Sequence, residues 1–68
     1  MLTSYLREAM HRAHYEILAD SGDFYGEIPE MPGVYATGPA LEDCREMLAE
    51  VLEGWVLFRI AKHLPLPA

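Results

Sequence analysis

Three histidines are the first side chains of this 68-residue sequence to consider for chemistry. His11 and His14 stand three residues apart, a spacing that places both imidazoles on one face of a continuous helix. The pattern changes from helix to strand between them, and no third ligand lies nearby in sequence. We interpret the pair as polar residues at a junction, and His63 as a cation at a helix end or a simple solvent-facing residue. We therefore expect no metal and no cofactor.

Four carboxylates flank a predicted hairpin, and these are Asp20, Asp23, Glu27 and Glu30. A pair of them would suit acid–base catalysis or a divalent cation, but catalytic carboxylates need a pocket that shifts their pKa values. Short loops and strands leave little room for such a pocket. We interpret the four as a solvated acidic rim, which would suit a basic partner because complementary charge speeds encounter.

Cys44 is the single cysteine, so an intramolecular disulfide is excluded. It lies near the start of a predicted helix, where the neighbouring acids Glu42, Asp43 and Glu46 disfavour a thiolate. We interpret Cys44 as a small core residue. The sequence contains no phosphate-binding glycine loop, serine elbow or metalloprotease helix. We therefore expect a protein that is not an enzyme.

The charge balance excludes further classes of function. Eleven acidic residues against five basic ones give a net charge of −6, which phosphate backbones repel. The basic residues form no patch, so we expect no direct binding to nucleic acid. No stretch approaches the roughly 20 apolar residues that span a bilayer. With no signal peptide pattern and one free thiol, we expect the cytoplasm.

The hydrophobic periodicity predicts one α+β domain over residues 1–68. A short amphipathic helix is expected over residues 3–12, within an N-terminal extension of residues 1–13. Three strands of an antiparallel sheet are expected between residues 14 and 40, at His14–Asp20, Phe24–Ile28 and Val34–Thr37. A helix from Leu41 to about Lys62 is expected to pack on one face of the sheet. The prolines that follow predict a tail over residues 64–68.

The second half of this helix, Trp55–Ala61, is apolar on nearly every side. A three-stranded sheet covers one face only, and exposed apolar surface of this kind marks interfaces. A domain of this size without a disulfide or a structural zinc site also gains stability from oligomerisation. We therefore predict a homodimer or homotetramer with an interface formed by Trp55, Val56, Leu57, Ile60 and Leu64.

The segment Phe24–Cys44, FYGEIPEMPGVYATGPALEDC, resembles the HicB-like antitoxin family. The strand ending in Ile28-Pro29 and the turn Met31-Pro32-Gly33 are the most specific part of the resemblance, which extends over about residues 14–64. It implies a partial ribonuclease-H-like fold, in agreement with the strand and helix order above. It also implies a protein that neutralises a HicA-type toxin, a small basic RNA-cleaving protein, by covering its active surface.

The sequence departs from the family pattern in three ways. Nothing follows Ala68, so we expect neither the C-terminal DNA-binding domain of many members nor direct operator repression. An additional helix precedes the first strand. Ala40 stands where the family commonly has threonine or serine, and alanine lacks the oxygen that caps a helix, a loss of about 1 kcal/mol.

Two hypotheses of different classes follow. The first is a HicB-like antitoxin module that binds and masks a basic HicA-type toxin without catalysis. The alternative is a stand-alone homo-oligomeric scaffold, or an orphan HicB-like protein with no toxin-neutralising activity. A small basic reading frame beside the gene would favour the first hypothesis, and its absence the second.

Overall fold

The order of helices and strands agrees with the sequence pattern. The computed structural model describes residues 2–67, so Met1 and Ala68, at the ends of the predicted extension and tail, lie outside the described residues. The elements are α1 (Leu2–His11), β1 (His14–Ile17), β2 (Phe24–Glu27), β3 (Tyr35–Gly38) and α2 (Leu41–Ala61). The predicted α+β fold, with an N-terminal helix, a three-stranded antiparallel sheet and a long C-terminal helix, is confirmed.

The three strands form an antiparallel meander in the order β1-β2-β3. Tyr15 of β1 pairs with Gly26 of β2, which in turn pairs with Ala36 of β3. A side chain at position 26 would meet the Tyr15 ring at 2.7 Å. Glycine is therefore required at the centre of the sheet, because the Tyr15 ring lies over that backbone.

The first strand is shorter than predicted. It ends at Ile17, whereas the alternating pattern continues to Asp20. The Leu18 amide donates to the Asp23 carbonyl at 2.8 Å, and the Gly22 amide donates to the Leu18 carbonyl at 2.8 Å. These two bonds close a compact loop, so the backbone after Leu18 turns away from the ladder.

The loop between β2 and β3 contributes to the core. Ile28 and Val34, predicted as strand residues, lie at its two ends and are buried together with Met31. The Met31 amide donates to the Ile28 carbonyl at 2.9 Å, and the Val34 amide donates to the Met31 carbonyl at 3.0 Å. Gly33 has φ +94°, a backbone conformation that residues with a side chain rarely adopt. The Met-Pro-Gly turn thus brings three apolar side chains under α2.

Helix α2 covers one face of the sheet and supplies four buried residues at a four-residue spacing. It packs over β2 and β3, with α1 beside it. Ile17, on the edge strand β1, remains exposed for this reason, although its pattern predicts the same face as Tyr15. The buried core comprises Ala9, Ile28, Met31, Val34, Ala36, Cys44, Leu48, Leu52 and Val56.

The two ends of α2 differ in how they are capped. Ala40 occupies the N-cap position in an extended conformation and makes no side-chain hydrogen bond there, as the sequence predicted. Glu42 and Asp43 in the first turn complement the helix dipole. After the helix, His63 has φ +59°, and the Leu64 amide donates to the Arg59 carbonyl at 2.8 Å. The chain therefore reverses directly into the proline-rich tail.

The tail returns to the N-terminal helix. The Tyr5 hydroxyl of α1 donates a hydrogen bond of 2.7 Å to the Pro67 carbonyl. Leu66 packs against the same core as Ala9 of α1. Within residues 2–67, neither helix is long and apolar enough to cross a membrane.

Candidate functional site

The face of the sheet opposite α2 has no helix over it within the described residues. Strand alternation and the register assign it six side chains, because residues two apart on a strand share a face. Tyr15, Gly26 and Ala36 face α2, so their neighbours along each strand face outward. We call this surface the outer sheet face; its residues are His14, Glu16, Tyr25, Glu27, Tyr35 and Thr37.

Two tyrosines form the centre of the outer sheet face. The rings of Tyr25 and Tyr35 lie with their centroids 6.2 Å apart and an interplanar angle of 26°. The two residues are diagonal neighbours, since Tyr25 pairs with Thr37 and Tyr35 pairs with Glu27. Tyr35 is 58% exposed, so its ring presents a large apolar and aromatic surface to solvent.

Carboxylates surround these rings. The Tyr25 hydroxyl donates a hydrogen bond of 3.1 Å to Oε1 of Glu27, and Glu16 pairs with Tyr25 across the strands. Partial burial raises the pKa of the Tyr25 phenol, and the hydrogen bond to Glu27 and the charges of Glu27 and Glu16 raise it further. The phenol therefore stays neutral and remains a hydrogen-bond donor well into the alkaline range.

A shallow depression of about 260 Å³ lies beside the tyrosines, lined by His14, Tyr15, Glu16, Tyr25 and Glu27. Two carboxylates and tyrosine rings, with neither lysine nor arginine among the six outward residues, suit a cation. A guanidinium or ammonium group is attracted both to a carboxylate and to the face of a tyrosine ring. The outer sheet face is therefore chemically matched to arginine or lysine side chains of another molecule.

The four acids proposed as one rim occupy different parts of the molecule. Asp20 and Asp23 lie in the loop at one end of β2, and Glu30 lies in the loop at its other end. Glu30 lines a groove with Trp55 and Arg59. Of the four, Glu27 alone belongs to the outer sheet face. The structure thus separates the predicted rim into three places along β2.

The predicted oligomer interface also divides into buried and exposed residues. Val56 is completely buried in the core of the chain itself and is therefore not available to a partner. Trp55 is half-buried, with the Arg59 guanidinium 4.7 Å from its ring centroid. Leu57, Ile60 and Leu64 are exposed. The interface prediction for Val56 was wrong because the β2–β3 loop extends the apolar layer under α2 beyond the strands.

The remaining candidate residues do not assemble into a reaction centre. His11 lines a hollow between the two helices, whereas His14 lies on the outer sheet face. Among residues 2–67, no three histidine, cysteine or acidic side chains are grouped as metal ligands would be. Cys44 is buried, as expected of a core residue; its thiol donates to the Ala36 carbonyl at 3.5 Å, and burial raises its pKa.

Glu16, Tyr25 and Tyr35 were missed as site residues by sequence reasoning. Each strand is four residues long, and the register that brings the two rings together is set by the β2–β3 loop, whose hydrogen bonds the sequence does not display. The available signal was the period-2 alternation of Tyr25 with Gly26 and of Tyr35 with Ala36. Combined with a helix on one face, it marks both tyrosines as outward.

Comparison with known proteins assigns the family. Residues 4–67 match the UPF0150-like family. The chain belongs to the UPF0150-like family. This family comprises small proteins associated with toxin–antitoxin systems.

The fold is shared, across nearly the whole chain, with a solved structure. The crystal structure of TTHA0281 from Thermus thermophilus is 50% identical in sequence and superposes with a TM-score of 0.92. The alignment covers 97% of this chain and 82% of that one. No curated protein matches this chain.

Proposed function

We propose that this UPF0150-like protein is a HicB-like antitoxin that binds and masks a small basic HicA-type RNA-cleaving toxin. The observation that carries the proposal is the outer sheet face, where two tyrosine rings and the carboxylates of Glu16 and Glu27 form a surface suited to arginine and lysine. The net charge of −6 favours a basic partner as well. The family's association with toxin–antitoxin systems supports the same assignment.

In this proposal the protein acts by occupying a surface and not by catalysis. The toxin, being basic, would be drawn to the acidic chain over a range set by the ionic strength. Close contact would then place its cationic side chains against the tyrosine rings and carboxylates. The setting would be the cytoplasm, where messenger RNA is cleaved. Binding would exclude RNA because one protein surface cannot hold both.

The test is a rescue experiment with the nearest small basic HicA-like protein of the same genome. The two proteins are co-expressed while growth and RNA integrity are followed, and the complex is then purified. Protection of RNA with a stable complex is the expected result. Uninhibited RNA cleavage and no complex, with this chain folded, would contradict the antitoxin function.

A charge-matched pair of variants connects the rescue to the outer sheet face. Glu16→Gln with Glu27→Gln removes two negative charges from that face, and Glu50→Gln with Glu53→Gln removes two from exposed positions on α2. Both variants have a net charge of −4, so non-specific attraction to a basic protein is equal in the two. We expect weaker protection and faster dissociation in the first variant only.

A second candidate function is a stand-alone homo-oligomeric scaffold with no toxin-neutralising activity. It is favoured by the exposed apolar side chains Leu57, Ile60 and Leu64 near the C-terminal end of α2. The same co-expression discriminates between the candidates. A folded oligomer that neither protects RNA nor retains the basic protein would favour the scaffold.

A further inference from the structure

A second apolar surface lies on the side of α2 that faces away from α1. Met47, Val51, Gly54 and Phe58 follow one another at spacings of four, three and four residues, which places them on one stripe of a helix. We call these four residues the α2 stripe. Met47 is 48% exposed and Phe58 is 58% exposed. The α2 residues that line the hollow beside α1 are a different set, Glu42, Arg45, Glu46 and Ala49.

We propose that the α2 stripe binds a second copy of this chain, with the two α2 helices antiparallel. This inference goes beyond the proposed function and does not rest on it. The spacing of the stripe is identical when read in either direction, so across a two-fold axis each member of the stripe faces another member. With the axis between residues 52 and 53, Met47 faces Phe58 of the second copy and Val51 faces Gly54.

Gly54 provides the room that this contact needs. Apart from its chain neighbours and the backbone of its own helix, no atom lies within 4 Å of the position a Cβ atom would take there. The glycine is therefore not required by packing within the chain, although it weakens a helix interior by about 1 kcal/mol relative to alanine. In the antiparallel pair, the missing side chain lets the Val51 side chain of the second copy approach the helix backbone closely.

Charge decides the direction of the helices. The first half of α2 carries acidic residues, and its end carries Arg59 and Lys62. Antiparallel helices place the acidic half of one beside the basic end of the other, whereas parallel helices place like charges together. Asp43, four residues before Met47, falls opposite Lys62, four residues after Phe58. Pairs of opposite charge thus flank the α2 stripe at both of its ends.

The occupant is a second copy because both halves of the contact are present on the same helix. A basic toxin would match the acidic half of α2 but not its basic end. A nucleic acid would meet the carboxylates of that acidic half. The stripe is also separate from the outer sheet face, which lies on the other side of the sheet, so both surfaces can be occupied at once.

The first test measures mass by light scattering over a concentration series of the full chain. We expect a dimer, or a multiple of one, and half that mass for Met47→Glu with Phe58→Glu. The competing variant, Leu57→Glu with Ile60→Glu, adds the same charge to exposed positions on another side of α2, where the sequence predicted the oligomer interface. If the α2 stripe is the contact instead, this variant keeps the wild-type mass. Circular dichroism checks that all three proteins are folded.

Cysteine cross-linking tests the direction and register. Positions 47 and 58 are about 17 Å apart along the helix, so in the antiparallel pair neither position meets its own copy. Met47→Cys mixed with Phe58→Cys is expected to form a disulfide-linked dimer, whereas each variant alone is not. Cys44 is buried and does not compete.

Three outcomes would overturn the proposal. The first is a monomer mass at every concentration. The second is an unchanged mass for the Met47/Phe58 variant while the Leu57/Ile60 variant dissociates. The third is self-cross-linking of Met47→Cys alone, which would indicate parallel helices.

Discussion

The ring of Tyr35 stacks on the ring of Tyr25 with 6.2 Å between centroids, on the face of the sheet that α2 leaves uncovered. Each strand contributes one ring, so the two rings stack only when β2 and β3 keep their register. The Tyr25 hydroxyl is further fixed by Oε1 of Glu27 at 3.1 Å. Tyrosine rings are frequent anchors of protein interfaces, because a rigid side chain loses little conformational entropy on binding.

Removing the two rings is predicted to weaken binding to the basic toxin that we propose as partner. Tyr25→Ala with Tyr35→Ala should lower the affinity by about tenfold or more, since each cation–aromatic contact contributes on the order of 1 kcal/mol. Isothermal titration with a catalytically inactive toxin measures this change. Phenylalanine at both positions keeps the rings and is expected to retain most of the affinity; equal affinities for wild type and the alanine variant would contradict the prediction.

The raised pKa of Tyr25 predicts a loss of stability in alkaline solution. Its folded-state pKa lies above the ordinary value of 10.0, so the neutral phenol favours the folded state. That contribution is complete below about pH 10 and is lost as the pH rises through the folded pKa. Denaturant unfolding from mildly to strongly alkaline pH should show the free energy of unfolding of wild type falling more steeply than that of Tyr25→Phe.

Tyr15 and Cys44 also have raised pKa values, and both residues are retained in Tyr25→Phe. Their contributions therefore cancel when the two proteins are compared. Glu27→Gln should reduce the difference, because it removes the nearest carboxylate and the charged acceptor of the phenol. Parallel curves for wild type and Tyr25→Phe over this pH range would be inconsistent with a stabilising neutral phenol.

The N-terminus of α2 offers a stabilising substitution. Ala40 occupies the N-cap position with an extended backbone and no capping side chain, and it is exposed, so a hydroxyl can be added without a clash in the core. Ala40→Ser should stabilise the fold by about 1 kcal/mol, which raises the melting temperature by about 4–8 °C for a domain of this size. Ala49→Ser, an exposed change within α2, is the control and should not stabilise.

Local sequence patterns were sufficient to predict the elements and their order. The boundaries were less accurate, since the end of β1 depends on hydrogen bonds between Leu18, Gly22 and Asp23 that close the loop. The sequence prediction places Val56 at an interface because a sheet alone would not cover it. The structure instead includes Val56 in the same buried cluster as Met31. Hydrophobic periodicity reports which faces are apolar but not which neighbour covers them.

The candidate surface was less predictable than the fold. Of the four acids proposed from sequence, Glu27 alone lies on the outer sheet face, because the others belong to loops at the two ends of β2. The sequence pattern places Tyr25 and Tyr35 on strands but gives them no functional role. Their proximity depends on the register of β2 and β3, which is determined by the length and shape of the loop that joins these strands. A single sequence without related sequences does not specify this.

The division of α2 into buried and exposed residues gives the last prediction. Leu52 is 1% exposed, whereas Leu57, further along the helix, is 48% exposed. Truncating a buried leucine to alanine typically costs about 2–5 kcal/mol, the loss of transfer free energy plus a cavity. A small domain of this length has a total stability of about 3–10 kcal/mol.

Leu52→Ala should therefore leave much of the chain unfolded at physiological temperature, while Leu57→Ala should change stability by less than about 0.5 kcal/mol. Urea unfolding at a fixed protein concentration measures both; a large loss at Leu57 with little at Leu52 would mean that the core lies on the other side of α2.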